Sequence, residues 1–282
     1  MSVTKKITLV AKMAKYRMDK LVYLLRETPL VSVDDRPAHV ASDWTIPNTV
    51  YQTWAYNRLP KTLAASLADF RSLNPGLGFY LYDNQASDDF MHSFFHGTDI
   101  LGLYNSVAFG PAKADLFRYC ILYEFGGYYF DINKMCNVPL RSIHRHDHTA
   151  LISFENNLVK PTPPKSSAAF IRCPERAFLQ WGFGFAKGHR ILELALELVV
   201  EHSYMFAHKI FPSPQDAIIS FTGPGLFTKA VWAYFEERGD TESVCQLGID
   251  FDGHGVFEVN GSWARNLQVP YYGNSRNLSI LH

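Results

Sequence analysis

Short and long blocks of hydrophobic positions alternate along most of the chain. Short apolar runs at residues 50–54, 79–82, 128–132 and 151–154 predict β-strands. Longer periodic blocks predict helices at residues 60–73, 112–125, 191–202 and 224–238. Because the strands alternate with helices, we expect a mostly parallel sheet with crossover helices on its faces. The last thirty residues show no clear periodicity, and we expect a loop-rich tail there.

The amino-terminal segment has a different pattern. Residues 4–26 intersperse lysines with apolar residues and predict a basic amphipathic helix. Such a helix lies on an anionic membrane surface, or it packs on the body of the protein or on a second subunit, and both interpretations stay open. Residues 28–45 are rich in Pro, Asp and Ser and are interpreted as a linker. We therefore divide the chain into a helix and linker, residues 1–42, and a single domain, residues 43–282.

The charge balance argues against a nucleic-acid-binding protein. The 27 basic and 27 acidic residues balance, and residues 1–30 alone carry an excess of positive charge. Without a global basic footprint, we expect no nucleic-acid partner. The aromatic content of 15% is high; a thick core accounts for it, and it is also compatible with binding sugars and bases.

Cysteine usage and hydropathy predict the compartment. The four cysteines have no Cys-x-x-Cys spacing and are interpreted as reduced, mostly buried thiols. No run of eighteen apolar residues predicts a transmembrane helix, and the lysines near the amino terminus interrupt any signal-peptide core. We expect a cytoplasmic protein, in which residues 4–26 are a candidate for peripheral membrane contact.

One segment combines charged residues with a strand end. Asp115 and Arg118 are three residues apart on a helix that Gly110-Pro111 starts and Gly126-Gly127 ends, so they share one face. The next strand leads into Asp131-x-Asn133. Ligands of open α/β sheets bind at the carboxyl ends of strands, and a diphosphate requires a hard cation with oxygen ligands.

This segment resembles a known family. Residues 114–119 and 122–131 are similar to the DxD sugar-binding region of family 32 glycosyltransferases. That family includes yeast-type mannosyltransferases and bacterial capsule or lipopolysaccharide enzymes, and large clostridial glucosylating toxins have a similar core. Further matches follow in the expected order at residues 46–54, 74–75, 222–225 and 262–263.

The resemblance implies a fold, a reaction and a set of roles. It implies a GT-A type α/β fold, with a Rossmann-like, mostly parallel central sheet flanked by helices, and transfer with retention of configuration. The implied catalytic residues are Asp115, Arg118 and Asp131. The implied donor-binding residues are Gln52, Thr53, Trp54, Asp115, Arg118, Gly127, Tyr129, Asp131, Ser262 and Trp263. The implied ligands of Mn²⁺ or Mg²⁺ are Asp131, Asn133 and Ser262.

Two of these implied residues have an alternative interpretation. Trp54 stacks on the donor base or is a core residue. Ser262 and Trp263 form a loop that closes over the metal and phosphate, although Trp263 is equally interpreted as packing of the tail.

The sequence departs from the family pattern at Asn133, where the family has a second Asp. An amide oxygen coordinates a cation without adding charge, so we expect weaker metal affinity or a compensating ligand from the tail. The tail candidates are Asp252, His254, Glu258 and Asn260.

We expect a retaining hexosyltransferase that uses a UDP-sugar or GDP-mannose and a glycan or lipid-linked acceptor in surface polysaccharide synthesis. The alternatives are a nucleotide-sugar or glycan-binding protein with little or no activity, and a toxin-like protein glycosyltransferase.

Three other patterns have simpler interpretations. Thr222-Gly223-Pro224-Gly225 aims the N–H groups of a helix start at a phosphate, or is a capped turn. His144, His146 and His148 alternate with charged residues and indicate an exposed loop rather than a metal site. Residues 182–188 miss the dinucleotide-binding glycine spacing.

Overall fold

A computed structural model describes residues 30–38, 43–156, 161–239, 241–269 and 271–282, together with four positions near the amino terminus. These four are Met18, Leu21, Val22 and Leu25, and their side chains are exposed. The rest of the predicted helix at residues 4–26 lies outside the described residues, so this helix stays a prediction. Within the described part of the chain, no helix has the length and apolar character needed to cross a membrane.

The strands are short and are numbered in chain order. They are β1 (Val31–Ser32), β2 (Thr49–Thr53), β3 (Arg58–Leu59), β4 (Gly78–Tyr82), β5 (Gly127–Phe130), β6 (Met135–Cys136), β7 (Ala150–Phe154), β8 (Gly182–Phe185), β9 (Ile210–Phe211), β10 (Val244–Ile249), β11 (Gly255–Val256) and β12 (Leu278–Ser279). Six of them form the central sheet in the order β10-β7-β8-β5-β2-β4. Only β8 runs against the other five. The five aligned strands therefore end at one common edge, called the carboxyl edge below.

Helices connect the strands. They are α1 (Lys61–Leu73), α2 (Asn84–Phe94), α3 (Asp99–Ser106), α4 (Gly110–Phe125), α5 (Lys165–Ala168), α6 (Arg190–His202), α7 (Pro214–Phe221), α8 (Pro224–Arg238) and α9 (Arg265–Gln268). The predicted fold class, an α/β domain with a mostly parallel sheet between helices, is confirmed. The sequence did not predict α2, α3, α7, β8 and β10.

Hydrophobic side chains cover both faces of the sheet. On one face, Tyr51, Tyr129 and Phe183 belong to the largest core cluster, which also contains buried residues of α4, α6 and α8. On the other face, Val50 and Phe130 pack in a second cluster with residues of α1. A sheet that is buried on both faces leaves its strand ends as the places where polar side chains reach solvent.

Two glycines in β8 make room for aromatic rings of β5. In this antiparallel pair, Gly182 lies opposite Phe130 and Gly184 lies opposite Tyr128. A Cβ atom at Gly182 would lie 2.7 Å from the Phe130 ring, and one at Gly184 would lie 2.6 Å from the Tyr128 ring. Gly182 and Gly184 thus mark a central strand that receives bulky neighbours.

The glycine pair after α4 is required by the backbone. Gly126 and Gly127 have φ angles of +67° and +104°, which side chains with a Cβ rarely adopt. A Cβ at Gly127 would also lie 2.5 Å from the carbonyl oxygen of Thr49. The pair therefore lets the chain turn tightly from α4 into β5, as predicted.

Part of the segment predicted as a linker is held on the domain. β1 pairs with β3, and Arg36 forms a backbone bridge with Phe79. The Arg36 guanidinium donates to the carbonyl oxygens of Asn74 at 2.7 Å and Leu77 at 2.8 Å. Residues 30–38 consequently pack against the turn that precedes β4.

The histidine loop is a loop, as predicted, but two of its rings are buried. His144 and His148 are at most 8% exposed, whereas His146 is exposed. The His144 Nε2 atom lies 2.7 Å from the Tyr128 hydroxyl, and His148 Nδ1 accepts from the Arg145 N–H. The expectation of exposure was wrong for these two rings because Tyr128 and the Arg145 backbone provide partners that sequence spacing does not show.

We predict that Gly184→Ala destabilises the domain, because the new methyl group collides with a fully buried Tyr128 ring. Overpacking of this kind costs about 1–3 kcal/mol, measured as the free energy of unfolding in urea. Gly102→Ala is the control: Gly102 lies in α3, and a Cβ there meets nothing within 4 Å. This control gains roughly 0.5–1 kcal/mol from helix propensity. Equal stability of Gly184→Ala and wild type would contradict the described packing.

Candidate active site at the carboxyl edge

A buried arginine joins a helix, a strand end and a neighbouring loop at the carboxyl edge. Arg118 on α4 is 6% exposed, and its Nη2 atom lies 3.4 Å from Asp115 Oδ1. The same nitrogen lies 2.9 Å from an Oδ1 atom of Asp131, the first residue after β5. Nη1 donates to the Gln180 carbonyl oxygen at 2.9 Å, just before β8. A guanidinium removed from water needs such partners, so its charge fixes the relative positions of these segments.

Aromatic and hydroxyl groups complete the surroundings of the two carboxylates. The Tyr129 ring lies under the Arg118 guanidinium, 4.5 Å from its centre, and the Tyr129 hydroxyl donates to Asp131 Oδ1 at 3.1 Å. The Thr222 hydroxyl donates to Asp115 Oδ2 at 2.8 Å. Both oxygens of Asp115 are therefore engaged by protein groups, whereas these contacts use only one oxygen of Asp131.

Burial and charge act in opposite directions on the pKa values of this cluster. Burial raises the pKa of Asp115 to about 6, although Arg118 and the Thr222 hydroxyl act to lower it. Burial alone would lower the pKa of Arg118, but the carboxylate of Asp131 and other neighbours raise it above its ordinary value. The guanidinium therefore stays charged, and Asp131 is its principal counter-charge.

Two buried polar residues that the sequence did not predict support the cluster. The Gln180 amide donates to the Tyr119 hydroxyl at 2.6 Å and to the Thr222 carbonyl at 2.9 Å. The Tyr119 hydroxyl also donates to that carbonyl, at 2.9 Å. This network ties the turn before α8 to α4. Residue 222 therefore contributes its hydroxyl and carbonyl to the site.

Further charged groups lie beyond Asp131 along the carboxyl edge. Lys134 is buried, and its ammonium donates to the Phe257 carbonyl and lies over the Phe257 and Trp181 rings. Glu155 is the first residue after β7, and Asp250 is the first after β10. Neither carboxylate was among the predicted site residues. A charged residue directly after the buried strand at residues 151–154 was a signal that could have identified Glu155, whereas the strand before Asp250 was not predicted.

Residues 60–150 match a family model described as the glycosyltransferase sugar-binding region containing a DXD motif. This range includes α4, the glycine pair and the strand that ends at Asp131. This part of the chain is therefore similar to a glycosyltransferase sugar-binding region. The predicted resemblance to family 32 glycosyltransferases is confirmed.

Two curated relatives are mannosyltransferases. Inositol phosphoceramide mannosyltransferase 3 of Schizosaccharomyces pombe is 26% identical over 254 residues, which cover 86% of this chain and 64% of the relative. The initiation-specific alpha-1,6-mannosyltransferase of the same yeast is 25% identical over 238 residues, which cover 80% of this chain and 54% of the relative. The chain therefore spans less than two thirds of the length of either relative. Among solved structures, the PaToxG Glycosyltransferase aligns with a TM-score of 0.47 at 15% identity and covers 83% of this chain and 81% of that chain.

The donor-binding residues expected from the family lie along the end of β2 and the adjoining turn. Gln52 is 1% exposed, and neither atom of its amide has a hydrogen-bond partner among the described residues. The Thr53 hydroxyl donates to the Tyr82 carbonyl at 3.0 Å. The Trp54 indole N–H donates to Gln268 Oε1 at 2.9 Å, which places the tail beside this ring. The roles of Gln52, Thr53 and Trp54 stay predictions.

The tail segment with Ser262 and Trp263 is hydrogen-bonded to the Asp131-x-Asn133 turn. The Val259 N–H donates to the Asn133 carbonyl at 3.1 Å, and the Ser262 N–H donates to the Val259 carbonyl at 3.1 Å. β11 also pairs with β6, directly after the turn. Ser262 is buried, and Trp263 is 38% exposed. The structure thus brings these predicted residues to the carboxyl edge.

The polar groups near Asp131 suit a cation that the substrate also coordinates. Asp131 has a second carboxylate oxygen beyond the one held by Arg118, and the side chain of buried Asn133 offers an amide oxygen. No group of three His, Cys, Asp or Glu side chains in the described part of the chain could hold a metal ion. Mg²⁺ and similar ions bind through one or two protein ligands with waters and substrate phosphates, and this set allows that mode.

We predict that Glu155→Gln makes the domain more stable at neutral and alkaline pH. Burial raises the pKa of Glu155 from 4.5 to about 7, with Asp250 and Asp131 adding to the rise and Lys134 opposing it. The folded state therefore retains this proton where the unfolded state has lost it. The resulting stability is complete below the unfolded pKa and is lost as the pH rises through the folded pKa.

Thermal unfolding at about pH 8 should show a melting temperature roughly 2–6 °C higher for Glu155→Gln than for wild type. The difference should vanish near pH 4, where both side chains are neutral in the folded state. The exposed Glu201, changed to Gln, is the control and should show no such pH-dependent gain. A Glu155→Gln variant less stable than wild type at pH 8 would mean that the charged carboxylate is stabilised in the fold.

Proposed function

We propose that this chain is a retaining glycosyltransferase that transfers a hexose from a nucleotide-sugar donor to a glycan or lipid-linked acceptor. The observation that carries the proposal is the buried Arg118, held by Asp115 and Asp131 at the carboxyl edge of the sheet. A fixed positive charge beside an incompletely paired carboxylate suits the departure of an anionic nucleoside diphosphate.

The names of the relatives support a choice of donor and acceptor. Both are mannosyltransferases, so GDP-mannose is the first donor to test, with UDP-hexoses second. One relative is named for a mannosylated inositol phosphoceramide, which supports a lipid-linked acceptor. Synthesis of a surface glycan or glycolipid would fit both.

In the proposed mechanism, the protein acts mainly by holding the donor and the charged side chains in position. Asp131 binds the donor, and Asp115 and Tyr129 keep Arg118 and Asp131 in place. The acceptor hydroxyl attacks the anomeric carbon from the face that the diphosphate leaves, which retains the configuration. A divalent cation, when bound, would be held by Asp131 and Asn133 and would neutralise phosphate charge.

Binding of a nucleotide sugar without turnover is the second candidate function, and Asn133 favours it. Where the family pattern has a second Asp, the amide provides no negative charge for a cation. The two candidates are separated by incubating the pure protein with GDP-mannose or UDP-glucose and Mn²⁺ and measuring nucleoside diphosphate release. Release that Asp131→Ala abolishes supports the enzyme. Binding without release, for every donor and acceptor tried, would leave only the second candidate.

Arg118→Lys should reduce nucleoside diphosphate release about 100-fold or more. A lysine ammonium keeps the charge but cannot reach Asp115, Asp131 and the Gln180 carbonyl together, as the planar guanidinium does. Arg190→Lys is the matched control, because Arg190 also contacts several carboxylates, but on the surface of α6. Arg190→Lys should release diphosphate at the wild-type rate. Equal losses in both variants would show a general effect of replacing arginine.

Asn133→Asp should increase the response to Mn²⁺, because it adds a negative ligand at a buried position. Titration by thermal shift should give a half-maximal Mn²⁺ concentration about ten-fold lower than for wild type. In EDTA the same variant should melt below wild type, since its new charge is then buried without a partner. Asp131→Asn should remove the response to Mn²⁺. If Mn²⁺ shifts none of these proteins, positions 131 and 133 hold no cation.

A further inference from the structure

Asp131 and Glu155 occupy equivalent places at the ends of two strands. β5 ends before Asp131 and β7 ends before Glu155, and β8 lies between these strands in the sheet. The Asp131 N–H donates to the Trp181 carbonyl at 2.8 Å, and the Glu155 N–H donates to the Ala177 carbonyl at 2.9 Å. The segment that leads into β8 therefore forms backbone hydrogen bonds with both residues.

The backbone of one residue, Gln180, also links Glu155 to Arg118. A hydrogen bond from the Gln180 backbone acts to lower the pKa of Glu155, and the Gln180 carbonyl, in the next peptide group, accepts from Arg118 Nη1 at 2.9 Å. Gln180 therefore connects the end of β7 with the Arg118 guanidinium.

The carboxylates at this edge differ in the partners that they have. The two carboxylate oxygens of Asp115 contact Arg118 and the Thr222 hydroxyl, and Asp131 forms an ion pair with Arg118. Burial raises the pKa of Asp250, and a hydrogen bond from the Asn156 side chain opposes that rise. Glu155 makes no ion pair among the described residues, and the nearby Lys134 already donates to a carbonyl and lies between aromatic rings.

An unusual backbone turn holds a second negative charge near Glu155. Asp250, Phe251 and Asp252 all have φ between +47° and +57°, and Gly253 continues this left-handed turn. Each non-glycine residue in this conformation costs roughly 1–2 kcal/mol. The Asp250 N–H donates to the Phe154 carbonyl at 3.0 Å, directly before Glu155. The fold thus keeps Asp250 beside Glu155, where its charge makes the Glu155 carboxylate a better proton acceptor.

We propose that Glu155 is the catalytic base that receives the proton of the acceptor's attacking hydroxyl. This inference rests on the proposed function and adds the residue that its mechanism lacks. The acceptor oxygen bonds to the anomeric carbon as the bond from that carbon to the diphosphate oxygen breaks. The bonding electron pair leaves with the nucleoside diphosphate. The hydroxyl proton passes to a Glu155 carboxylate oxygen and from there to solvent.

The competing explanation is that Glu155 only holds the Gln180 peptide. Glu155→Gln separates the two, because an amide oxygen still accepts from the Gln180 N–H but does not take up the proton. With GDP-mannose or UDP-glucose as donor and methyl α-mannoside or water as acceptor, nucleoside diphosphate release should fall about 100-fold or more. Affinity for the donor, measured by thermal shift, should be unchanged. Glu201→Gln is the control and should keep both properties.

Chemical rescue provides a readout that a structural role would not change. Azide is a nucleophile with no proton to lose, so it should restore diphosphate release to Glu155→Ala and give a glycosyl azide detectable by mass spectrometry. It should not accelerate the Arg118→Lys variant. If Glu155→Ala is too unstable to purify, the rescue is performed on Glu155→Gln.

Three results would overturn the assignment of Glu155 as the base. They are full activity of Glu155→Gln, a fall in donor affinity that matches its fall in turnover, and failure of azide to restore release. Each of them leaves the proposed function in place, because the wild-type protein still turns over. A wild-type protein that releases no diphosphate from any donor would overturn both proposals.

Discussion

Arg118 can remain charged inside the domain only because three separate segments supply its partners. Asp115 comes from the same helix, Asp131 from the end of β5 and the Gln180 carbonyl from the lead-in to β8. Removing any one of these partners would leave buried charge or an unpaired donor, which costs far more than a lost surface contact. The position of the strand end that carries Asp131 therefore depends on a helix that precedes it in the chain. The glycine pair between them allows the short, sharp connection that this requires.

The carboxyl edge separates a buried layer of polar groups from more accessible carboxylates, to which the proposed function assigns contact with the substrate. Asp115, Tyr119, Gln180 and Thr222 are at most 6% exposed and mainly contact one another. Asp131 and Glu155 are more accessible, and they end strands on either side of β8. Such a division keeps the rigid part of the site dry, so that charges within it act strongly on whatever binds at the rim. Under the proposed function, a substitution in the buried layer would therefore affect the reaction by moving Arg118 and Asp131 rather than by removing a contact with the substrate.

Local sequence patterns predicted the features that depend on neighbouring residues, such as helix faces and strand ends. They did not predict contacts between segments that are distant in the chain. The i,i+3 spacing predicted the shared face of Asp115 and Arg118, and strand periodicity placed Asp131 at a strand end. Gln180 lies 62 residues from Arg118, and Thr222 lies 107 residues from Asp115, so no periodic signal connects them. β8 was missed because its alternate glycines remove the β-branched residues by which strands are recognised. β10 lies at an edge of the sheet, and only two of its six positions are buried, so it has no regular alternation to recognise.

The fit between β5 and β8 also constrains how this protein can change over evolutionary time. Each pairing consists of one aromatic ring and one missing side chain, so neither partner can be replaced alone without a collision or a void. Lineages that lose the ring at position 128 should tolerate a larger residue at position 184, and the same holds for positions 130 and 182. The two pairs should then covary independently of the proposed catalytic residues. This covariation would help to align β8 in distant relatives, because the strand lacks the β-branched residues by which strands are usually recognised.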